Sequence, residues 1–242
     1  MSKIMYPREF FTEQWQVYQK VLDFDYMSHQ GIYHCLTAIL KSYFNRPITM
    51  LELGCGDASY TAKALSGLNI ASYYGIDISP VALENANNNL HSLGCQVVLV
   101  EADFNPLGQQ LSQEYLNSFD CILISFALHH LNWVQKDKFL AEVYNFLKPE
   151  NGQLIVIDVM RREQENDRDA YLDRYLAHMR QDWTQITPEE YLLLESHISS
   201  SDFPEKVEEM IELGYKNKFN KVECLYVDPL ETMATLSFWR TS

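Results

Sequence analysis

The 242-residue chain lacks most of the features that mark specialised protein classes. Its five cysteines (Cys35, Cys55, Cys95, Cys121, Cys224) are scattered and include no C-x-x-C pair. That argues against a disulfide framework and against a zinc or iron–sulfur centre, and it reads as reduced thiols in a cytoplasmic protein. No apolar run approaches the ~18 residues needed to cross a membrane, and the charged N-terminus "MSKIMYPREFFTEQWQVYQK" has no signal-peptide core. Basic residues are scarce: 19 Lys and Arg stand against 33 Asp and Glu, a formal charge of −14. Such a surface repels phosphate backbones and anionic lipid, so nucleic acid and membranes are disfavoured as partners. No H-E-x-x-H or comparable ligand cluster occurs, and no metal is expected. There is no low-complexity tract, repeat or linker; with 47% apolar residues, the length suits one globular domain carrying an insertion or cap.

What is present is an alternation. After helical spacing over residues 12–44, broken around "DFDYMSHQG", the apolar runs "PITMLELG", "ASYYGID", "CQVVLVEAD", "FDCILISFA" and "QLIVIDVM" read as strands separated by helical stretches. Strands without a polar face imply a parallel sheet covered on both sides. Residues 161–213 then read as helical throughout, and "KFNKVECLYVD" with "ETMATLSFWR" as an antiparallel hairpin closing the sheet edge. The expected fold is α/β and Rossmann-like: a seven-stranded, mostly parallel sheet with an antiparallel C-terminal hairpin. Its parts are an N-terminal helical lid (1–46), a core (47–160), a helical insertion after the fifth strand (161–213) and closing strands (214–242).

Chemistry is written into "MLELGCGDASYT". Glycines between a strand and a helix let a ligand approach the backbone. A dinucleotide fingerprint needs a third glycine where this chain has Ser59, and here an acid, Glu52, precedes the turn. A carboxylate there suits a cation better than a pyrophosphate. About twenty residues on, Asp77 ends "YYGID", the placement from which an acid binds ribose hydroxyls. Asp103 ends the next strand, within reach of an adenine amino group, with Phe104 positioned to pack on the ring. An adenosine carrying a positive amine satisfies this set.

With "LELGCGDAS", "GIDIS", "EADF", "FDCILISFALHHL" and "LKPENGQLIVIDV" in order, the chain resembles the class I S-adenosylmethionine-dependent methyltransferases over residues 48–160. The resemblance implies S-adenosylmethionine as cofactor, S-adenosylhomocysteine as product, and direct in-line transfer to a small-molecule acceptor by a monomer or homodimer. It implies that Glu52, Gly54, Cys55 and Gly56 hold the methionine end, Asp77 and Ile78 the ribose, Asp103 and Phe104 the adenine. Ser125 and Phe126 would flank the methyl group. The N/D-P-P-Y/F and Pro-Cys signatures of base methylation are absent, Ser125-Phe126-Ala127-Leu128 standing in their place.

Past the fourth strand, His129 and His130 either act as base or orient the substrate, or cap and pack beneath the following helix, the commoner arrangement. Tyr26, in the break between the first helices, is expected over the methionine end as a catalytic residue, with Tyr18 and His29 nearby on the substrate side. In the insertion Arg168, Tyr171, Arg174, Tyr175 and His178 share a helix face. That face binds an acidic small molecule or, with Asp167, Asp169 and Asp173 interleaved, is a solvated ion-pair surface. A second reading follows from a distant similarity to carboxy-S-adenosylmethionine synthase, an enzyme that modifies the cofactor itself and needs an arginine near the sulfonium. A catalytically silent cofactor-binding subunit is a third reading, disfavoured by the intact motifs.

Overall fold

The computed structural model describes residues 15–241; Tyr6, Phe10 and Phe11 of the expected lid lie outside them. Helices α1 (Trp15–Asp23) and α2 (His29–Tyr43) lead into the alternation β1 (Ile48–Leu53), α3 (Ser59–Leu65), β2 (Ile70–Asp77), α4 (Pro80–Leu90), β3 (Gln96–Glu101), α5 (Leu107–Gln110), β4 (Cys121–Ser125), α6 (Trp133–Phe146), β5 (Gly152–Arg161). Then come α7 (Arg168–Asp182), α8 (Pro188–Ser201), β6 (Glu205–Lys206), α9 (Val207–Lys216), β7 (Lys221–Val227) and β8 (Met233–Arg240).

The strand order is β3-β2-β1-β4-β5-β8-β7, parallel from β3 to β5, with β8 antiparallel to both its neighbours. Eight strands are present where seven were expected. The extra one, β6, pairs only Glu205 and Lys206 with Met160 and Arg161 of β5, too short to leave a period in the sequence. The hairpin exists, but its second strand lies inside the sheet and β7 takes the edge. Buried Gln153 and Ser237 explain how β8 tolerates polar residues there: the amide of Gln153 donates to the Ser237 hydroxyl at 2.7 Å.

Alternate residues of each strand feed two cores. Ile48, Met50, Ile155, Ile157 and Val159 pack with α1–α4, α7 and α8 on one face, whereas Leu51, Leu53, Leu154 and Val156 pack with α6 and α9 on the other. The insertion therefore lies on the face that carries the N-terminal helices, and an ion pair ties the two together. Lys20 of α1 bridges Glu190 of α8 at 2.8 Å.

Helix α8 begins where Thr187 and Glu190 form a capping box ahead of Pro188, satisfying two N–H groups that would otherwise lack partners. Thr187→Ala is expected to cost about 1 kcal/mol, read as a lower urea midpoint at unchanged slope.

Candidate active site

The sheet order reverses between β1 and β4, where open α/β sheets leave a crevice at their carboxyl ends. Glu52, Asp77, Asp103 and Ser125 all sit at or just beyond those ends. A cavity of about 300 Å³ opens there and runs from Asp77, Asp103 and Phe104 past Ser125 and Phe126 to Tyr175 and Trp183 of the insertion. A smaller pocket of about 30 Å³ adjoins it, lined by Glu52, Cys55, Asp57, His29 and Tyr33; Tyr18, Gly54, Gly56, Ser125 and Phe126 border both.

The glycine turn is built to let something approach. Gly54 has φ +67° and Gly56 φ +53°, and a Cβ on Gly54 would come within 2.8 Å of the Ala127 Cβ, so only glycine fits without displacement. The Gly56 amide donates to Asp77 Oδ2 and the Ser79 amide to Asp77 Oδ1, each at 2.8 Å. Asp77 thereby fixes the loop and keeps lone pairs free on both oxygens. Burial raises its pKa, against the pull of those amides. Asp103 Oδ1 accepts from the Asn105 amide at 2.9 Å, and Ile78 also lines the main cavity.

Glu52 is the most constrained acid. It is 2% exposed, its oxygens accepting from Thr61 Oγ1 at 2.7 Å and Tyr73 OH at 2.5 Å. Burial lifts its pKa to about 7 in spite of those donors, with Asp57 and Asp77 adding to the rise. No arginine or lysine lines either cavity among the described residues, so the methionine-side pocket carries charge of one sign. A cation would balance it. Among the described residues, then, neither cavity offers the arginine that a cofactor-carboxylating enzyme would need.

At the tip of β4 Phe126 adopts φ +51°, a left-handed conformation that is rare for a bulky side chain. Its amide bond to the Ile157 carbonyl at 2.8 Å holds it there, and Tyr33 donates to Ser125 Oγ at 2.9 Å. Backbone strain of this kind gathers where a side chain must be aimed. His29 packs on the Phe126 ring at 4.6 Å between centroids; burial lowers its pKa to about 3, so it is neutral.

His129 and His130 both border the main cavity. His129 donates its amide to Asp158 Oδ2 at 2.7 Å, and its Nδ1 lies 2.5 Å from Asp158 Oδ1. Burial alone would lower its pKa; the Asp158 and Asp202 carboxylates outweigh that and raise it. His130 moves the other way, pushed well down by burial and by the neighbouring His129 and His197.

Several expected site residues lie elsewhere. Tyr26 lines neither cavity; it stacks on Trp183 at 4.9 Å and accepts from the Gln185 amide at 2.8 Å, bracing the insertion. Arg174 is taken up by Glu165 and by Thr232 Oγ1 at 3.0 Å, Tyr171 is fully buried behind Tyr175, and His178 pairs with Asp182 at 2.7 Å outside the cavity. Of that helix face only Tyr175 reaches the chamber. Trp183, Leu194, His197, Ile198 and Asp202, which the sequence did not single out, supply the rest of the insertion's share of the wall.

Residues 50–150 match the family model of a methyltransferase domain. Over that stretch the chain is similar to the class I S-adenosylmethionine-dependent methyltransferases. Among curated proteins it is 27% identical over 187 residues to phosphoethanolamine N-methyltransferase of Plasmodium falciparum, covering 76% of this chain and 65% of that one. It is 33% identical over 124 residues to the ubiquinone/menaquinone biosynthesis C-methyltransferase UbiE of Pseudoalteromonas translucida, covering 50% and 47%. The chain thus spans under two thirds of either relative. Among solved structures, magnesium protoporphyrin IX methyltransferase of Synechocystis with bound S-adenosylhomocysteine superposes with a TM-score of 0.66 at 14% identity, over 96% of this chain and 97% of that one. The 1,6-didemethyltoxoflavin N1-methyltransferase of Burkholderia thailandensis gives 0.58 at 17%, over 100% and 93%.

Proposed function

We propose that this protein transfers the methyl group of S-adenosylmethionine to a small, flat acceptor seated between Phe126 and the aromatic wall of the insertion. The observation that carries the reading is the continuity of the main cavity, from the acids at the ends of β2 and β3, past Ser125 and Phe126, to Tyr175 and Trp183.

The residues present fit the cofactor. Glu52, in a pocket of one charge sign, would hold the methionine ammonium group, Asp77 the ribose, and Asp103 with Phe104 the adenine; Gly54 and Gly56 leave the backbone open. When bound, the cofactor supplies an activated methyl group on a sulfonium sulfur. The remaining task for the chain is to hold the acceptor in line and keep water out, and positioning of this kind can supply ~7–11 kcal/mol. Strained Phe126 and Tyr18 would guard the methyl position, while Tyr175, Trp183, Leu194 and Ile198 would shape the acceptor's seat. Among the family relatives and fold neighbours, the named acceptors include phosphoethanolamine, a porphyrin and a toxoflavin precursor, all small molecules, which supports the class of acceptor without fixing its identity. We take the chain to act as one unit, with α1–α2 and α7–α8 forming the acceptor side.

Incubating the protein with S-adenosylmethionine alone and with a panel of planar hydroxyl, amine and carbon nucleophiles tests this. S-adenosylhomocysteine is expected only with an acceptor, and Trp183→Ala is expected to raise KM for that acceptor about tenfold or more with little change in cofactor affinity, one buried aromatic being worth on the order of 1.5–3 kcal/mol. Turnover without any acceptor would refute the reading.

A further inference from the structure

The acceptor end of the cavity holds a group of side chains that methyl transfer does not itself require. His129 and His130 follow β4, and Asp202 ends α8; the Phe203 amide donates to the His129 carbonyl at 2.7 Å and so pins the end of α8 against the histidine turn. One ligand-type atom from each of the three lies within 4.8 Å of the other two. All three residues border the cavity.

We propose that His129, His130 and Asp202 form a three-ligand site for a divalent transition metal, zinc fitting best, with a fourth coordination position open to the acceptor chamber.

Asp202 Oδ1 is buried and makes no hydrogen bond, a costly state for a carboxylate oxygen. His129 Nε2 and His130 Nδ1 stand 3.7 and 3.6 Å from it, and His130 Nδ1 also lies 3.3 Å from the Ser201 carbonyl, a contact it would exchange for the metal. The two separations from Asp202 are too long for a hydrogen bond and close to the ~3.4 Å edge of a tetrahedron built on bonds of about 2.0–2.2 Å to zinc. His129 is already prepared as a ligand. Asp158 holds its Nδ1 at 2.5 Å and its amide at 2.7 Å, the carboxylate–histidine support that fixes ring orientation and tautomer in metal sites and leaves Nε2 to coordinate. The neighbouring cation does not fill the gap, because Lys136 Nζ is bound to the Phe203 carbonyl and to Glu205 at 2.9 Å. Two imidazoles and a carboxylate with an open position suit zinc, and a fully ligated structural site would need a fourth protein group.

The metal's role rests on the methyltransferase reading. A hydroxyl or thiol acceptor in the open position would release its proton to solvent more readily. Its lone pair would then form the bond to the methyl carbon as the sulfur–carbon pair returns to sulfur.

The test titrates chelator-treated protein with Zn²⁺ by calorimetry and with Co²⁺ by visible absorption. One equivalent should bind, the cobalt form showing the intense d–d bands of a four-coordinate site. Asp202→Asn and His130→Gln, each checked for folding by circular dichroism, should weaken binding about a hundredfold or more, while His178→Gln, at the surface pair with Asp182, should not. Absence of stoichiometric binding, weak octahedral cobalt spectra, or affinity unchanged in both cavity variants would overturn the proposal. S-adenosylhomocysteine binding to the metal-free protein separates the two readings: if it persists while zinc fails, only the metal site falls; if zinc binds and it does not, the cofactor site falls.

Discussion

Replacing Asp77 by alanine is expected to weaken S-adenosylhomocysteine binding by about a hundredfold, roughly 3 kcal/mol. Two losses combine. The ribose loses its charged acceptor, and the amides of Gly56 and Ser79, both bonded to Asp77 at 2.8 Å, lose the partner that shapes the glycine turn. Asp77→Asn keeps one acceptor oxygen and the side-chain volume, so it should fall between wild type and alanine. Calorimetry on the three proteins measures this directly; affinity within twofold of wild type for the alanine variant would mean that neither a ribose contact of Asp77 nor its hold on the glycine turn contributes to binding.

The acids at the strand ends were readable because two local signals coincide there: an apolar run sets the strand, and its end sets where the next side chain faces. Glu52, Asp77, Asp103 and Ser125 therefore fall at the crevice as the motifs implied. The insertion was readable as helices and not as a site. Periodicity put Tyr171, Arg174, Tyr175 and His178 on one face, but no local rule says how that face meets the sheet. Tyr171 and Tyr175 turned inward, and Arg174 was drawn to Glu165 and Thr232, partners that only tertiary packing supplies. Tyr26 fails for the same reason: the helix break was correctly located, while its ring direction is set by Trp183, far along the chain. Asp202 joins His129 and His130 through the Phe203 backbone bond and the two-residue strand β6, contacts with no sequence period at all.

Cofactor affinity should depend on pH through Glu52. Its pKa in the folded apoprotein is raised from 4.5 to about 7, so between about 4.5 and 7 the native state holds a proton that the unfolded chain would release. This group's contribution to apoprotein stability is therefore full below about 4.5 and lost as pH rises through about 7. The shift corresponds to about 3 kcal/mol, taking about 1.4 kcal/mol per pH unit. An ammonium group placed against Glu52 reverses the preference, because the ionised carboxylate then has its counter-charge. Affinity for S-adenosylhomocysteine is expected to fall about tenfold per unit as pH drops below about 7. Calorimetry near pH 6 in two buffers of different ionisation enthalpy should register about one proton released. Glu52→Gln keeps an oxygen acceptor for the Thr61 or Tyr73 hydroxyl and cannot ionise. Its affinity should be weaker at pH 8 and flatter with pH, which separates Glu52 from Asp202, whose pKa burial raises to about 6. A wild-type affinity constant from pH 5.5 to 8 would remove Glu52 from the ammonium site and leave it as a buried acid held by two hydroxyls.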